Sequence, residues 1–246
     1  MIKIYILLSL FFSICFGDKV ILDNSNYIHL KGEINPISSS QFITEINKIS
    51  SEKIFIYIQS PGGYVESGKE IINEINSQIE SGKNISCIAD RAYSMAFIIF
   101  QTCSNRYITN NSILMQHPIY ITQISGNLRT VQNLLKMIEK DNTDLLEIQC
   151  NRIGIDKKEF EFLTLSEWWI MGNDNIDMKT ADKIIGVSCS KELYNTEIQE
   201  NSFNPFIGYI KTTKVKCPLV KYGKEEINNY SNKSYSGINH KYIGNY

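Results

Sequence analysis

From Tyr27 to Ser188 short apolar runs alternate with longer amphipathic stretches, a pattern that predicts βα units stacked around a largely parallel sheet. Residues 27–30 read as a short strand, and 38–49 carry Phe42, Ile43, Ile46 and Ile49 at helical spacing. Residues 54–58 are apolar on both faces, as a central strand covered by helices should be. After a turn at Ser60, Pro61, Gly62 and Gly63, a helix over 65–79 turns Ile71, Ile72, Ile75 and Ile79 inward and stops at Ser81 and Gly82. A strand follows at 85–89, a polar turn at Asp90 and Arg91, and a buried helix at 94–100. Two short strands at 106–109 and 113–116 precede the longest amphipathic helix, from 128 to about 148. The expected class is α/β.

The two ends depart from this pattern. Residues 1–17 combine one cation, Lys3, with a 13-residue apolar run from Ile4 to Phe16 and small side chains near Gly17, the layout of a secretory signal peptide. As a helix that run rises only about 20 Å, short of a hydrocarbon core of about 30 Å, so cleavage and a soluble chain from Asp18 are expected rather than a membrane anchor. Secretion, or residence in the lumen of the secretory pathway, follows from that reading. From about Lys191 the composition shifts to Asn, Tyr, Ser and Lys with little periodicity. Residues 191–246 are expected to form a peripheral extension, either irregular and packed on the domain or largely disordered. The domain reading is thus 1–17, 18–190 and 191–246.

Composition narrows the function classes. With 25 Lys and Arg against 26 Asp and Glu, and 43% hydrophobic residues, the chain is globular and has no basic stripe, which excludes a charge-driven nucleic-acid partner. Cleavage would remove Cys15 and leave Cys87, Cys103, Cys150, Cys189 and Cys217, without a Cys-x-x-Cys pair. That spacing holds no zinc pattern, and it leaves room for one or two disulfides whose pairing it does not fix.

Three segments at strand ends carry candidate chemistry. The glycines of the 60–63 turn let the backbone bend sharply and leave amides uncovered, able to bind an anion or simply to make a tight turn. Ser94, between Ala92 and Ala96 at the start of a buried helix, has the small neighbours of a nucleophile elbow, although an ordinary helix cap is the plainer reading. His117, between Gln116 and Pro118, is placed to exchange a proton with Ser94 near neutrality, against a plain structural role for a lone histidine.

The runs YIHLKGEI from Tyr27, IFIYIQSPGG from Ile54, AYSMAF from Ala92 and SILMQHP from Ser112 together resemble the proteolytic subunit of the Clp protease family. The resemblance spans roughly two thirds of the chain and implies the βα spiral of the ClpP and crotonase type. It implies a serine endopeptidase with Ser94 as nucleophile, His117 as general base and the N–H groups of Gly63 and Met95 as oxyanion hole. It also implies a ring-shaped homo-oligomer stacked through the long helix from Leu128, acting on peptides or unfolded chains with no cofactor and no metal. Two departures stand out. The family's aspartate, sought in a Gly-Leu-Val-Asp-like stretch, falls on Ser188, which leaves Asp174, Asp177 or Asp182 as substitutes if the preceding loop brings one inward. A mature chain from Asp18 has only about nine residues before its first strand, and export separates it from cytosolic ATP, both of which argue against dependence on an ATPase unfoldase.

Three alternatives compete. A catalytically inactive Clp-like scaffold is favoured by the missing aspartate. A Ser-Lys peptidase of the signal-peptide-peptidase type would use Lys136 or Lys140 as base, provided the long helix desolvates it. A crotonase-like enzyme would bind an acyl-coenzyme A and need no serine nucleophile.

Overall fold

Residues 54–58 are apolar on both faces because two different layers cover the sheet that contains them. The computed structural model describes residues 18–122, 124–205, 208–221 and 223–228. The segment expected to be a signal peptide, 1–17, and the tail from 229 lie outside the described residues. In chain order the elements are β1 (Lys19–Leu22), β2 (Tyr27–Lys31), α1 (Pro36–Ile46), β3 (Lys53–Ser60), α2 (Val65–Glu80), β4 (Asn84–Tyr93), α3 (Met95–Thr102) and β5 (Asn105–Gln116). They continue with α4 (Leu128–Ile153), α5 (Lys157–Thr164), β6 (Trp168–Met171), α6 (Asp174–Asp177), β7 (Lys183–Ile184), β8 (Gly186–Cys189), α7 (Lys191–Asn195), β9 (Glu197–Asn204), β10 (Gly208–Val215) and β11 (Lys224–Asn228). The central sheet runs β2-β3-β4-β5-β6, parallel from β2 to β5, with β6 antiparallel on β5 and β7 beside the start of β5.

Side chains alternate across this sheet. Ile54, Ile56 and Ile58 of β3, with Ile85 and Cys87 of β4, face the helices. Phe55, Tyr57 and Ile88 face the other way, onto Leu22, Cys189, Leu193 and Cys217. The second layer is therefore not helical, as the hydrophobic pattern alone implied, but is built from β1, β8 and the segment after Lys191.

Several boundaries moved for identifiable reasons. Helix α1 begins at Pro36 instead of residue 38, because Asn35 accepts from the N–H of Ile37 and Ser38 while the Ser38 hydroxyl accepts from Asn35 N–H, a reciprocal cap with Pro at the first position. Asp90 and Arg91 form no turn. β4 runs through them with a bulge that skips Asp90, whose carboxylate, 9% exposed, accepts from Gln59 Nε2 at 3.0 Å. The two short strands expected at 106–109 and 113–116 are one strand with a jog, closed where Ser112 Oγ donates to Ala89 O at 2.5 Å and accepts from Thr109 N–H at 2.8 Å. Helix α4 extends to Ile153 and ends on Gly154, φ 76°. Residues 197–228 contain an antiparallel sheet ordered β9-β10-β11 in place of an irregular extension, anchored by the Cys189–Cys217 disulfide and by Tyr27 Oη donating to Lys216 O at 2.6 Å. Its strands are polar and lack a helical period, so cross-strand backbone pairing carries an order that composition does not announce.

At the start of β5, Arg106, only 5% exposed, donates from Nε and Nη2 to Asp182 Oδ1 at 3.1 and 2.5 Å, and its N–H reaches Oδ2 at 2.7 Å. Arg152 Nη2 adds a further bond to the same carboxylate at 3.1 Å. Burial opposes the Asp182 charge, but the hydrogen bonds from Arg106 and the two guanidinium charges outweigh it and hold the carboxyl below the usual range. Asp182→Ala is expected to cost about 3 kcal/mol of unfolding free energy in denaturant melts, the lower end of the range for orphaning a buried partner because the carboxylate is about one third exposed. The native carboxyl titrates below its unfolded counterpart, so this stabilisation is present above about pH 4 and is lost as pH falls through the depressed value. The variant should lack that part of the acid dependence.

Candidate active site

The three strands adjacent at the centre of the sheet, β3, β4 and β5, run parallel and deliver their C-terminal ends to one edge. Each end passes directly into one of the candidate segments: β3 into Pro61–Gly63, β4 into Ser94 and β5 into His117. Open α/β sheets place their sites at such edges.

The first segment is held by its glycines and by Ser60, whose Oγ donates to Gly32 O at 2.6 Å and accepts from Gly62 N–H at 3.1 Å. Gly62 has φ 92°, and a Cβ there would lie 2.6 Å from Tyr93 O and 2.8 Å from Ser94 Cβ. A Cβ on Gly63, φ 152°, would meet Ile34 O at 2.1 Å. Ile34 N–H donates to Gly62 O and Tyr64 N–H to Ile34 O, each at 2.8 Å. Alternation along this extended segment turns the Gly63 N–H to the opposite side, toward the cleft that Gly63 lines.

Ser94 occupies φ 53°, ψ −122° and its side chain makes no capping bond to α3. The hydroxyl is therefore not spent on the helix it precedes, and the backbone holds a conformation that non-glycine residues adopt at a cost of order 1–3 kcal/mol. The surroundings enforce it: Ser94 N–H donates to Met115 O at 2.9 Å, and Ser94 O receives Phe97 N–H at 3.0 Å. Met95, first residue of α3, contributes an N–H from the helix turn that lacks intrahelical acceptors, where the helix dipole favours negative charge.

His117 follows Gln116, the last residue of β5, and is half-buried. Its Nδ1–H donates to Pro118 O at 2.7 Å, which leaves Nε2 as the acceptor nitrogen. The buried Gln116 accepts from His117 N–H at 3.1 Å through Oε1 and donates through Nε2 to Gln149 Oε1 of α4, while Gln149 Nε2 donates to Leu145 O at 2.8 Å. The long helix thus fixes the residue that carries the imidazole. Gly63, Ser94, Met95 and His117 all line one cavity of about 420 Å³, with Tyr64, Ile98, Ile119, Tyr120 and Leu145 supplying much of its apolar wall.

The structure keeps other candidates away from this cleft. Ser188 pairs with Ile21 in the β1–β8 ribbon, and β7 just before it sits beside Ile108. Because of the jog in β5, about six ladder steps, roughly 20 Å, separate the level of Ile108 from that of His117. Ser188 does not line the cleft. Asp182 is committed to Arg106 at that same distant end. Asp174 and Asp177 lie in α6, beyond Met171, which pairs with Ile113 and so marks the end of β6 away from His117. Lys136 is exposed on α4, Lys140 pairs with Asp144 four residues on, and neither lines the cleft. The desolvation that a lysine base requires is absent.

One carboxylate at the His117 end of β6 escaped the sequence reading, the exposed Glu167, which does not line the cleft. Gln116 pairs with Trp168 as the last rung of the antiparallel β5–β6 ladder, and Glu167 precedes that rung as His117 follows it. Glu167 has φ 66°, a strained value for this residue, and its Oε2 accepts from Trp169 Nε1 at 3.1 Å. The apolar run Trp168–Met171 was the available signal. Recognising it as a strand returning along β5 would have placed Glu167 at the His117 end.

The sequence is matched in known proteins. The Clp protease family model matches residues 18–188. Among curated relatives, the ATP-dependent Clp protease proteolytic subunit of Borrelia garinii subsp. bavariensis is 24% identical over 164 residues, 64% of this chain and 83% of the relative. The ATP-dependent Clp protease proteolytic subunit 1 of Borreliella burgdorferi matches to the same extent, 24% over 164 residues. The matched span contains every element that builds the cleft, from the Gly32 strap beneath the glycine turn to the helix that carries Leu145, and by that match the chain belongs to the Clp protease family of serine peptidases.

Proposed function

We propose that this protein is an endopeptidase that cleaves peptide bonds through an acyl-enzyme, works without ATP in an oxidising secretory compartment, and assembles as a homo-oligomeric ring. The observation that carries the chemistry is the strained Ser94, its hydroxyl unused by α3, in one cleft with His117 and Gly63. Ser94 Oγ attacks the scissile carbonyl as His117 Nε2 takes its proton, and the N–H groups of Gly63 and Met95 receive the oxyanion. The imidazolium returns that proton to the departing amine. Water then attacks the ester with His117 again as base, releasing the acid and restoring Ser94. Glu167 is assigned the supporting acid: rotation of the imidazole away from Pro118 O would let Nδ1–H donate to its carboxylate, and Trp169 holds that carboxylate on the correct strand end. On this reading Glu167 supplies the acid that the scaffold alternative lacks.

The compartment is supported by two disulfides, Cys87–Cys103 and Cys189–Cys217, with Cys150 left as a buried thiol. Independence from an ATPase is supported by residues 19–22, which are committed to β8 and form no free arm once 1–17 is cleaved. Ring stacking is supported by α4: its buried residues begin only at Leu145, while Leu128, Leu135 and Met137 are exposed along the preceding turns.

A fluorophosphonate probe tests the chemistry. It should label the wild-type protein on Ser94 and label neither Ser94→Ala nor His117→Ala. No labelling of the assembled wild-type protein would overturn the peptidase reading in favour of a noncatalytic subunit.

A further inference from the structure

Besides Ser94 and His117, the described lining of the cleft mixes apolar side chains with Gln116, Thr122 and the phenols of Tyr64 and Tyr120. Among its described lining residues Glu33 is the only carboxylate, and no lysine or arginine accompanies it. Its position is set by the backbone of the catalytic turn: Ile34 forms the bridge to Gly63, and Ser38 Oγ donates to Glu33 O at 2.9 Å. Ile34 is fully buried. Alternation therefore turns the Glu33 side chain out of the core, onto the rim beside the oxyanion turn. Among the described residues no cation pairs with this carboxylate, whereas Glu66, Glu70, Glu74 and Glu200 all find partners.

A carboxylate that lines the groove with no lysine or arginine beside it gives that groove a charge preference. We propose that Glu33 is a specificity-determining residue that selects peptides with a lysine or arginine side chain next to an apolar residue at the cleavage site. The apolar partner is expected because Val65, Ile98, Ile119 and Leu145, with the rings of Tyr64 and Tyr120, give the groove an extended apolar wall. This inference rests on the peptidase reading and names its substrate class. A unit charge a few Å from an opposite one at a partly exposed site changes binding by about one order of magnitude.

The test uses the full mature protein and three matched fluorogenic peptides that differ at one position, carrying Lys, Gln or Glu beside a constant leucine, scanned across the positions flanking the cleaved bond. At one position the wild-type kcat/KM for the Lys peptide should exceed that for the Glu peptide by about 10-fold or more at low salt, mostly through KM, and the ratio should shrink at high salt. In Glu33→Gln the ratio should fall toward one, and in Glu33→Lys it should invert, a result that general loss of folding cannot mimic. Cleavage of all three peptides at equal rates, or a Lys preference that persists in Glu33→Gln, overturns the charge selection and leaves the peptidase reading intact. Cleavage of none overturns both.

Discussion

Ser94→Ala and His117→Ala are each expected to lower kcat for a peptide substrate by about 10⁵–10⁶-fold, and the double variant by no more than either alone. Nucleophile and base act in one proton transfer, so removing either forfeits the whole covalent route. What survives is the contribution of the oxyanion donors and of substrate binding, about 10³–10⁴ over the reaction in water. Both side chains lie at strand ends and neither belongs to the buried core, so melting temperatures should remain close to wild type. Single-turnover assays with a chromogenic ester would measure acylation directly. Retention of more than about 1% of wild-type turnover in His117→Ala would show that another group deprotonates Ser94.

Glu167→Gln should reduce kcat by about 10⁴-fold, the loss seen when a triad acid becomes an amide in related chemistry, whereas Ser188→Ala should change it less than twofold. The amide keeps the shape and hydrogen-bonding reach of the side chain but cannot stabilise the imidazolium. The loss should fall on kcat and leave KM nearly unchanged, whereas a merely structural role would move both. Glu167→Asp should recover much of the rate, since a shorter carboxylate on the same strand end still reaches toward Nδ1. If Glu167→Gln stays within tenfold of wild type, the Pro118 carbonyl that now receives Nδ1–H is sufficient to orient His117.

Much of the fold was legible because its core is organised by local periodicity. Ile71, Ile72 and Ile75 at helical spacing and the unbroken run Ile54–Ile58 identified α2 and β3 without any knowledge of their neighbours. The misread places are those where a polar residue serves a distant one. Asp90 has turn chemistry by type, yet it sits in a bulge because Gln59 on the adjacent strand donates to it. Ser112 interrupts a strand in the linear pattern and closes it in space by reaching Ala89 O. Ser94 has the sequence neighbourhood of a helix cap. Whether its hydroxyl caps the helix or stays free depends on φ 53°, which the contacts with Gly62 and Met115 impose from the two flanking strands.

The placement of the acid shows the same division. Counting along the chain put Ser188 at the acid position, and proximity in sequence to that segment made Asp174, Asp177 and Asp182 the natural substitutes. Only the antiparallel return of β6 along β5 brings Glu167 to the His117 end of the ladder, while Asp182 meets Arg106 at the far end of the same strand. The chain by itself determined the class of fold, the order of the three reactive segments and their residue types, because spacing, glycine placement and apolar periodicity are local properties. Tertiary structure alone decided which ends of which strands meet, which carboxylates lie far from the imidazole and which layer covers the second face of the sheet. Those outcomes depend on strand direction and register, which pair residues far apart in sequence and leave no periodic trace along it.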